Sequence, residues 1–129
     1  VITVPLPYRT PPLTMNGRMH WAVKGRVTKQ VRQDAWTLAR ALKIPPMGAV
    51  ITELVWFKGD NRRADAVNIA ATLKPLEDGL VDAGVLPDDS ADRVLSSRTA
   101  VVLKRDDPQP DHGPRMELRI IDASVLAQA

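Results

Sequence analysis

Alternating and helix-spaced apolar positions divide the chain into six segments. ITVPLP, residues 2–7, alternates like a short edge strand, a place where proline is tolerated. Residues 9–27 show no period and are rich in Pro, Gly and Asn, which predicts an irregular basic loop with a small hairpin about Lys24 and Gly25. From Thr28 the pattern changes. Val31, Ala35, Leu38, Ala39 and Leu42 share one helical stripe, Thr28 can cap its start, and Pro45 and Pro46 close its end, so a helix of about four turns is expected. AVITELVWF, residues 49–57, is β-branched and aromatic with little charge, as in a buried strand. KGDNRRAD, residues 58–65, then leaves its end as a polar loop. Ile69, Leu73, Leu76, Leu80 and Ala83 recur at helical spacing, with Gly84 as the C-terminal stop. Pro75 falls inside this second helix. Either the helix is kinked there, or Thr72 caps a fresh start with Pro75 in its first turn. Residues 93–104 and 115–122 both alternate, placing Val94, Ala100 and Val102, then Met116, Leu118 and Ile120, on core faces. DDPQPDHGP, residues 106–114, joins these strands. Its prolines and glycine make a solvated hairpin connection a better reading of Asp106, Asp107, Asp111 and His112 than a metal loop. The order strand, helix, strand, helix, strand, strand predicts one α+β domain over residues 1–129, a mixed sheet with two helices packed on it.

Length and composition agree with this. A chain of 129 residues with 44% hydrophobic content buries one core and is too short for two comfortable ones. No apolar run approaches the roughly 20 residues that span a bilayer, and no charged-then-apolar leader opens the chain, so a cytosolic protein with no membrane partner is expected. There are no cysteines and only two histidines. Thiol chemistry and cysteine-held zinc are excluded, and a metal here would be held by oxygen, which favours Mg²⁺ or Mn²⁺.

Charge changes the picture more. Residues 1–43 contain eight basic residues (Arg9, Arg18, Lys24, Arg26, Lys29, Arg32, Arg40, Lys43) against the single acid Asp34, whereas the remainder has ten bases and fourteen acids. A basic part facing an acidic part suits a polyanion held beside a carboxylate site. Among the acids, Asp65 closes the loop after the buried strand, and Asp88 and Asp89 stand side by side just beyond the second helix. Adjacent carboxylates repel unless something positive sits with them. A helix packed back along its strand carries its far end to the opposite edge of the sheet, so Asp89 reaches Asp65 only if residues 85–89 or a kink at Pro75 bring it back. Each residue also has a plainer reading. Lys74 can pair with Asp78 at i and i+4, Pro-Asp-Asp-Ser is an ordinary turn, Asp65 suits a helix N-terminus and Asn68 suits a cap. Trp21, Trp36 and Trp56 fit core or interface better than base stacking.

RRADAVNIAATLKPLEDGLVDAGVLPDDS, residues 62–90, resembles the RusA family of Holliday junction resolvases, whose Asp-x-Asp-Asn element is followed by a helix with a lysine, then Ala-Gly and an Asp-Asp pair. Asp65 matches the first aspartate, Asn68 the asparagine, Lys74 the lysine, and Asp88 and Asp89 the terminal pair. Upstream, PLPYRTPPLTMN, residues 5–16, is similar to the strand, Pro-Pro and Asn opening of the family. Two departures stand out. Val67 occupies the place of the second aspartate, and the interval from Asn68 to Lys74 is about three residues longer than in the shorter members, close to one helical turn.

The resemblance implies a RusA-like α+β fold and a homodimer that resolves four-way DNA junctions by hydrolysis of phosphodiesters, in a bacterial or phage-encoded setting of recombination and repair at the nucleoid. Catalysis would rest on Asp65, Lys74, Asp88 and Asp89, with Mg²⁺ held by Asp65, Asp89 and Asp88. Arg62 and Arg63 would hold phosphates beside the cut, and Lys24, Arg26 and Lys29 those farther away. The alternative is a junction-binding protein on the same fold whose cutting is weakened by Val67. A small interaction domain with no nucleic-acid role is a more distant rival.

Overall fold

A computed structural model describes residues 1–88, 90 and 93–124. The most apolar segment of the chain becomes an inner strand, β2 (Val50–Phe57), flanked by β4 (Arg115–Asp122) and β3 (Val94–Val102). β1 (Ile2–Pro5) adds the outer edge beside β4, giving the order β1-β4-β2-β3. β4 is antiparallel to both its neighbours, and β3 is parallel to β2. The sheet is therefore mixed. Two helices, α1 (Trp21–Ala41) and α2 (Ala70–Asp82), supply the crossovers from β1 to β2 and from β2 to β3. The expected single α+β domain, with two helices on a mixed sheet, is what forms.

The core lies between the sheet and the helices. Val4, Val50, Leu54, Met116, Leu118 and Ile120 project from the strands against Val31, Ala35 and Ala39 of α1 and Leu73, Leu76 and Leu80 of α2, all buried. Polar groups within this layer are paired. Glu77 of α2 is buried, and its Oε2 accepts from the hydroxyls of Thr52 on β2 and Ser97 on β3, each at 2.7 Å, which fixes the helix to two strands at once. Arg119 on the other face of β4 donates to Glu53 at 3.0 Å and to Glu117 at 2.6 Å.

Several sequence expectations need correction. The segment expected as an irregular loop with a hairpin at Lys24 and Gly25 is helical from Trp21, so α1 begins seven residues before Thr28. His20 caps it, its Nδ1 accepting from the Ala22 amide at 3.2 Å, and Thr28 turns its hydroxyl back to the Lys24 carbonyl. The early turns of α1 bury little, so their apolar period is absent and the helix is invisible to a pattern search. Its end is a reversal centred on Lys43 at φ 53°, with the Ile44 amide donating to the Ala39 carbonyl, ahead of the two prolines. α2 ends in the same motif with Gly84 at φ 79°, as its sequence predicts. Thr72 does not cap a fresh helix start: its hydroxyl donates to the Leu13 carbonyl at 2.7 Å and accepts from the Leu13 amide at 3.2 Å, and α2 runs through Pro75 from Ala70. β3 and β4 are not a hairpin, because β2 lies between them. A register irregularity opposite Val50 and Ile51 makes Leu95 an extra residue, so Val94 packs on the core while Ala100 and Val102 fall on the other face.

The connection from β3 to β4 is braced by charge. Arg115 donates through both terminal nitrogens to the buried Asp107 carboxylate at 2.9 and 2.8 Å and lies over the Phe57 ring at 4.1 Å. The Arg115 hydrogen bonds hold the Asp107 carboxyl below its ordinary range, against the opposing effect of burial. A depressed carboxyl contributes stability that is present above its unfolded value near pH 4 and lost as pH falls through the folded value. Asp107→Asn should therefore lower stability at pH 7 by about 2 kcal/mol. In urea titrations the gap from the unchanged protein should narrow as pH falls below about 4, and a gap of constant size would show that the ion pair is not its source.

Candidate nucleic-acid site

The site grows from the end of β2. After Phe57 the chain turns through residues 58–65, where Asp60 accepts from Lys58 at 2.7 Å and from the Arg62 amide at 2.9 Å, with the Arg62 guanidinium at 3.5 Å. These contacts, Lys58 foremost, hold the Asp60 carboxyl below its usual range. The loop is thus shaped by its own charges, and Asn61 Oδ1 adds a bond from the Arg105 amide at 2.8 Å. Arg62 and Arg63 are both exposed on it.

Asp65 then starts a short 3₁₀ turn, Ala66–Ile69, that leads into α2. Its Oδ1 accepts from the Val67 amide at 3.2 Å, the capping role expected of an acid at a helix start. The carboxylate remains exposed and lines a cleft of about 480 Å³ with Met15, Asn16, Trp56, Ala64, Val67 and Asn68. Val67 is 63% exposed there, an apolar side chain facing solvent beside an acid.

Asn68 does not cap α2. Its Oδ1 accepts from the Asn16 amide at 3.1 Å, and its carbonyl accepts from the Met15 amide at 2.8 Å. The proline-rich opening segment is held along its length in this way. Tyr8 donates to Asp34 at 2.5 Å, the Trp56 indole donates to the Arg9 carbonyl at 3.2 Å, and Leu13 is paired with Thr72. Burial, then the Asp34 contact, raises the Tyr8 hydroxyl above its ordinary value, so it stays a donor. Met15 and Asn16 are site residues that the local reading did not single out. The only signal for them was the Asn that ends PLPYRTPPLTMN.

The other candidates make local contacts among the described residues. Lys74 is exposed on α2 and reaches Asp78 at 3.1 Å, the intrahelical pair that its spacing allows. Asp88 takes the Ser90 hydroxyl and, at 2.9 Å, the Ser90 amide on Oδ1, and these bonds keep its carboxyl below the usual range. That is the local turn that Pro-Asp-Asp-Ser favours. Asp89 lies outside the described residues. Among the described residues no three His, Asp or Glu side chains are grouped so as to hold a metal ion. The donor chemistry suits a hard cation, but the described geometry places Asp65 alone on the cleft. Lys24, Arg26 and Lys29 belong to α1 rather than to a loop. Lys24 and Lys29 line one groove, whereas Arg26, two positions or about 200° from Lys24, points away from it. Trp56 is half-buried against the opening segment, and Trp36 is half-buried with Arg40 over its ring at 5.3 Å. Trp21 is neither core nor half-buried: it is 80% exposed.

Fold and site together describe a small α+β domain with an open cleft, lined by Asp65, near the end of β2. No helix among the described residues is long and apolar enough to cross a membrane. No family model matches the chain. A protein of Xylella fastidiosa, described as uncharacterized, is 30% identical over 83 residues, covering 60% of this chain and 54% of that relative. The chain thus spans about half the length of the curated relative it matches.

Proposed function

We propose that the chain is a RusA-like, structure-selective DNA endonuclease that acts as a homodimer on four-way junctions. The observation that supports this most is that the two separate stretches carrying the resemblance meet at one cleft: Met15 and Asn16 of the opening segment are hydrogen-bonded to Asn68, and all three line it with Asp65. Asp65 and Asp89, with Asp88, would hold Mg²⁺, a Lewis acid that polarises the phosphate and activates water. Asp65 keeps its carboxylate exposed while its backbone-facing oxygen fixes the turn, so the charge is positioned at little cost in order. Exposed Arg62 and Arg63 flank it and offer hydrogen bonds to the neighbouring phosphates. Lys74, 57% exposed at its side chain, can leave the surface pair with Asp78, which contributes only a few tenths of a kcal/mol, and offset charge on the leaving oxygen. A two-fold dimer presents two such clefts to the two strands that a symmetric resolution must cut.

Exposed Val67 favours a second reading, a protein that binds junctions and cuts them weakly, since valine neither ligates a cation nor accepts a proton. Val67→Asp separates the two. If the natural site is impaired, the variant should gain at least about tenfold in Mg²⁺-dependent junction cleavage. An unchanged rate means that the remaining acids suffice. Both readings predict junction binding that weakens steeply between about 50 and 200 mM salt, because the phosphates supply most of the affinity. An affinity indifferent to salt would overturn both.

A further inference from the structure

The outer side of the helix pair carries a second feature, which shares no lining residue with the Asp65 cleft. Trp21, Lys24, Gly25, Thr28, Lys29 and Arg32 of α1 border a groove closed on its other side by Pro75 and Asp78 of α2. Trp21 is 80% exposed, with the His20 ring 5.6 Å away and tilted 31° to it. Among the described residues nothing packs over this large aromatic surface. Gly25 lies open as well. A Cβ built there would have nothing within 4 Å among the described residues, so the glycine gives up helix propensity on an exposed turn without making room for any of them. What it leaves is a flat floor one turn from the indole. Of the charged groups that line it, Arg32 is taken up by Asp82 at 2.5 and 2.8 Å and Asp78 lies 3.1 Å from Lys74. Among the described residues, Lys24 and Lys29 have no ion-pair partner, so the groove is positive where it is open. Exposed aromatic, flat floor and unpaired cations are what sequence-tolerant single-strand binding requires, because every base has a face to stack and every linkage a charge to meet. From Trp21 to Lys29 is about 12 Å along the axis, the length of three to four stacked nucleotides.

We infer that this groove is a single-strand DNA site, in which an unpaired base stacks on the Trp21 indole above Gly25 while Lys24 and Lys29 hold the phosphates on either side. It rests on the DNA reading proposed above for the identity of the polymer, and gives that reading a place for bases that leave their duplex at a branch. A twelve-residue oligothymidylate and a fully paired four-way junction, each titrated by fluorescence against the whole chain, test it. The oligothymidylate should quench tryptophan emission. Trp21→Ala should abolish most of that quenching, and both Trp21→Ala and Gly25→Leu should weaken its binding at least tenfold, with paired-junction affinity held within threefold. Gly25→Ala serves as the fold control and should raise the melting temperature, since alanine improves the helix. Oligothymidylate bound equally by all variants, or not bound by the unchanged protein, overturns the inference and leaves the junction reading intact. Equal losses on both DNAs overturn it too, marking the groove as a duplex contact. Variant-sensitive oligothymidylate binding without junction binding would uphold the groove and end the junction reading.

Discussion

Replacing Gly79 with alanine is expected to lower stability by about 3 kcal/mol, a large fraction of what a domain of this size has. Gly79 lies where α2 crosses α1. A Cβ on it would stand 2.3 Å from the Arg32 carbonyl oxygen and 2.6 Å from the Ala35 Cβ, both far inside contact distance. One of these neighbours is backbone and the other is a methyl on the buried stripe of α1, so neither can rotate aside. The helices must separate instead. That would loosen Val31, Ala35 and Ala39 from Leu76 and Leu80, and pull apart the Arg32–Asp82 pair next to the crossing. A urea midpoint close to that of the unchanged protein would mean that the helices pack less closely than described. A second consequence is functional. α2 carries Lys74 and leads to Asp88, so a displaced helix should impair the site even where the fold survives.

Asp65→Asn should reduce Mg²⁺-dependent junction cleavage at least on the order of 100-fold, about 2.7 kcal/mol of transition-state stabilisation. The substitution is informative because of what it keeps. Asparagine caps a turn about as well as aspartate, so the bond from the Val67 amide and the start of α2 should persist. Only the charge is removed. Junction affinity should hold or rise slightly, as one negative group facing the phosphates disappears, while the chemical step fails. A variant that cuts like the unchanged protein would confine Asp65 to its capping role.

Much of the fold was legible because burial writes itself into sequence. β2 is buried on both faces and reads as a β-branched and aromatic run whose only charge is Glu53, and Met116, Leu118 and Ile120 alternate cleanly because β4 faces the helices on one side only. Where burial is absent the reading fails. The early turns of α1 lie on the surface, so Trp21, Lys24 and Gly25 carried no helical period and suggested a loop. At Leu95 one extra residue inverted the parity of β3, a local event that alternation cannot register. The hairpin expected across residues 106–114 failed for a topological reason, since the strand that intervenes is formed far upstream.

The site was legible by type more than by place. Asp65 is an exposed acid on a cleft, and its place at a helix start and the Lys74–Asp78 pair are the plainer readings that the sequence allowed beside the catalytic ones. Asn68 was assigned to the wrong bond. Its partner, the Asn16 amide, is 52 residues away in sequence and no local rule points to it. Glu77, which joins α2 to two strands, was equally hidden, because a glutamate on the core side of a helix is unusual until its two hydroxyl donors are known.

The central claim is that Asp65 and Asp89 serve one ion in one pocket. Single-turnover cleavage of a synthetic four-way junction with Mg²⁺, by Asp65→Asn, Asp89→Asn and the double variant, measures it most directly. If the two acids share one cation, the double variant should be no more than about threefold slower than either single one, because the first loss already disables the unit. Losses that multiply, or a single variant that still makes paired nicks at the original rate, would contradict it.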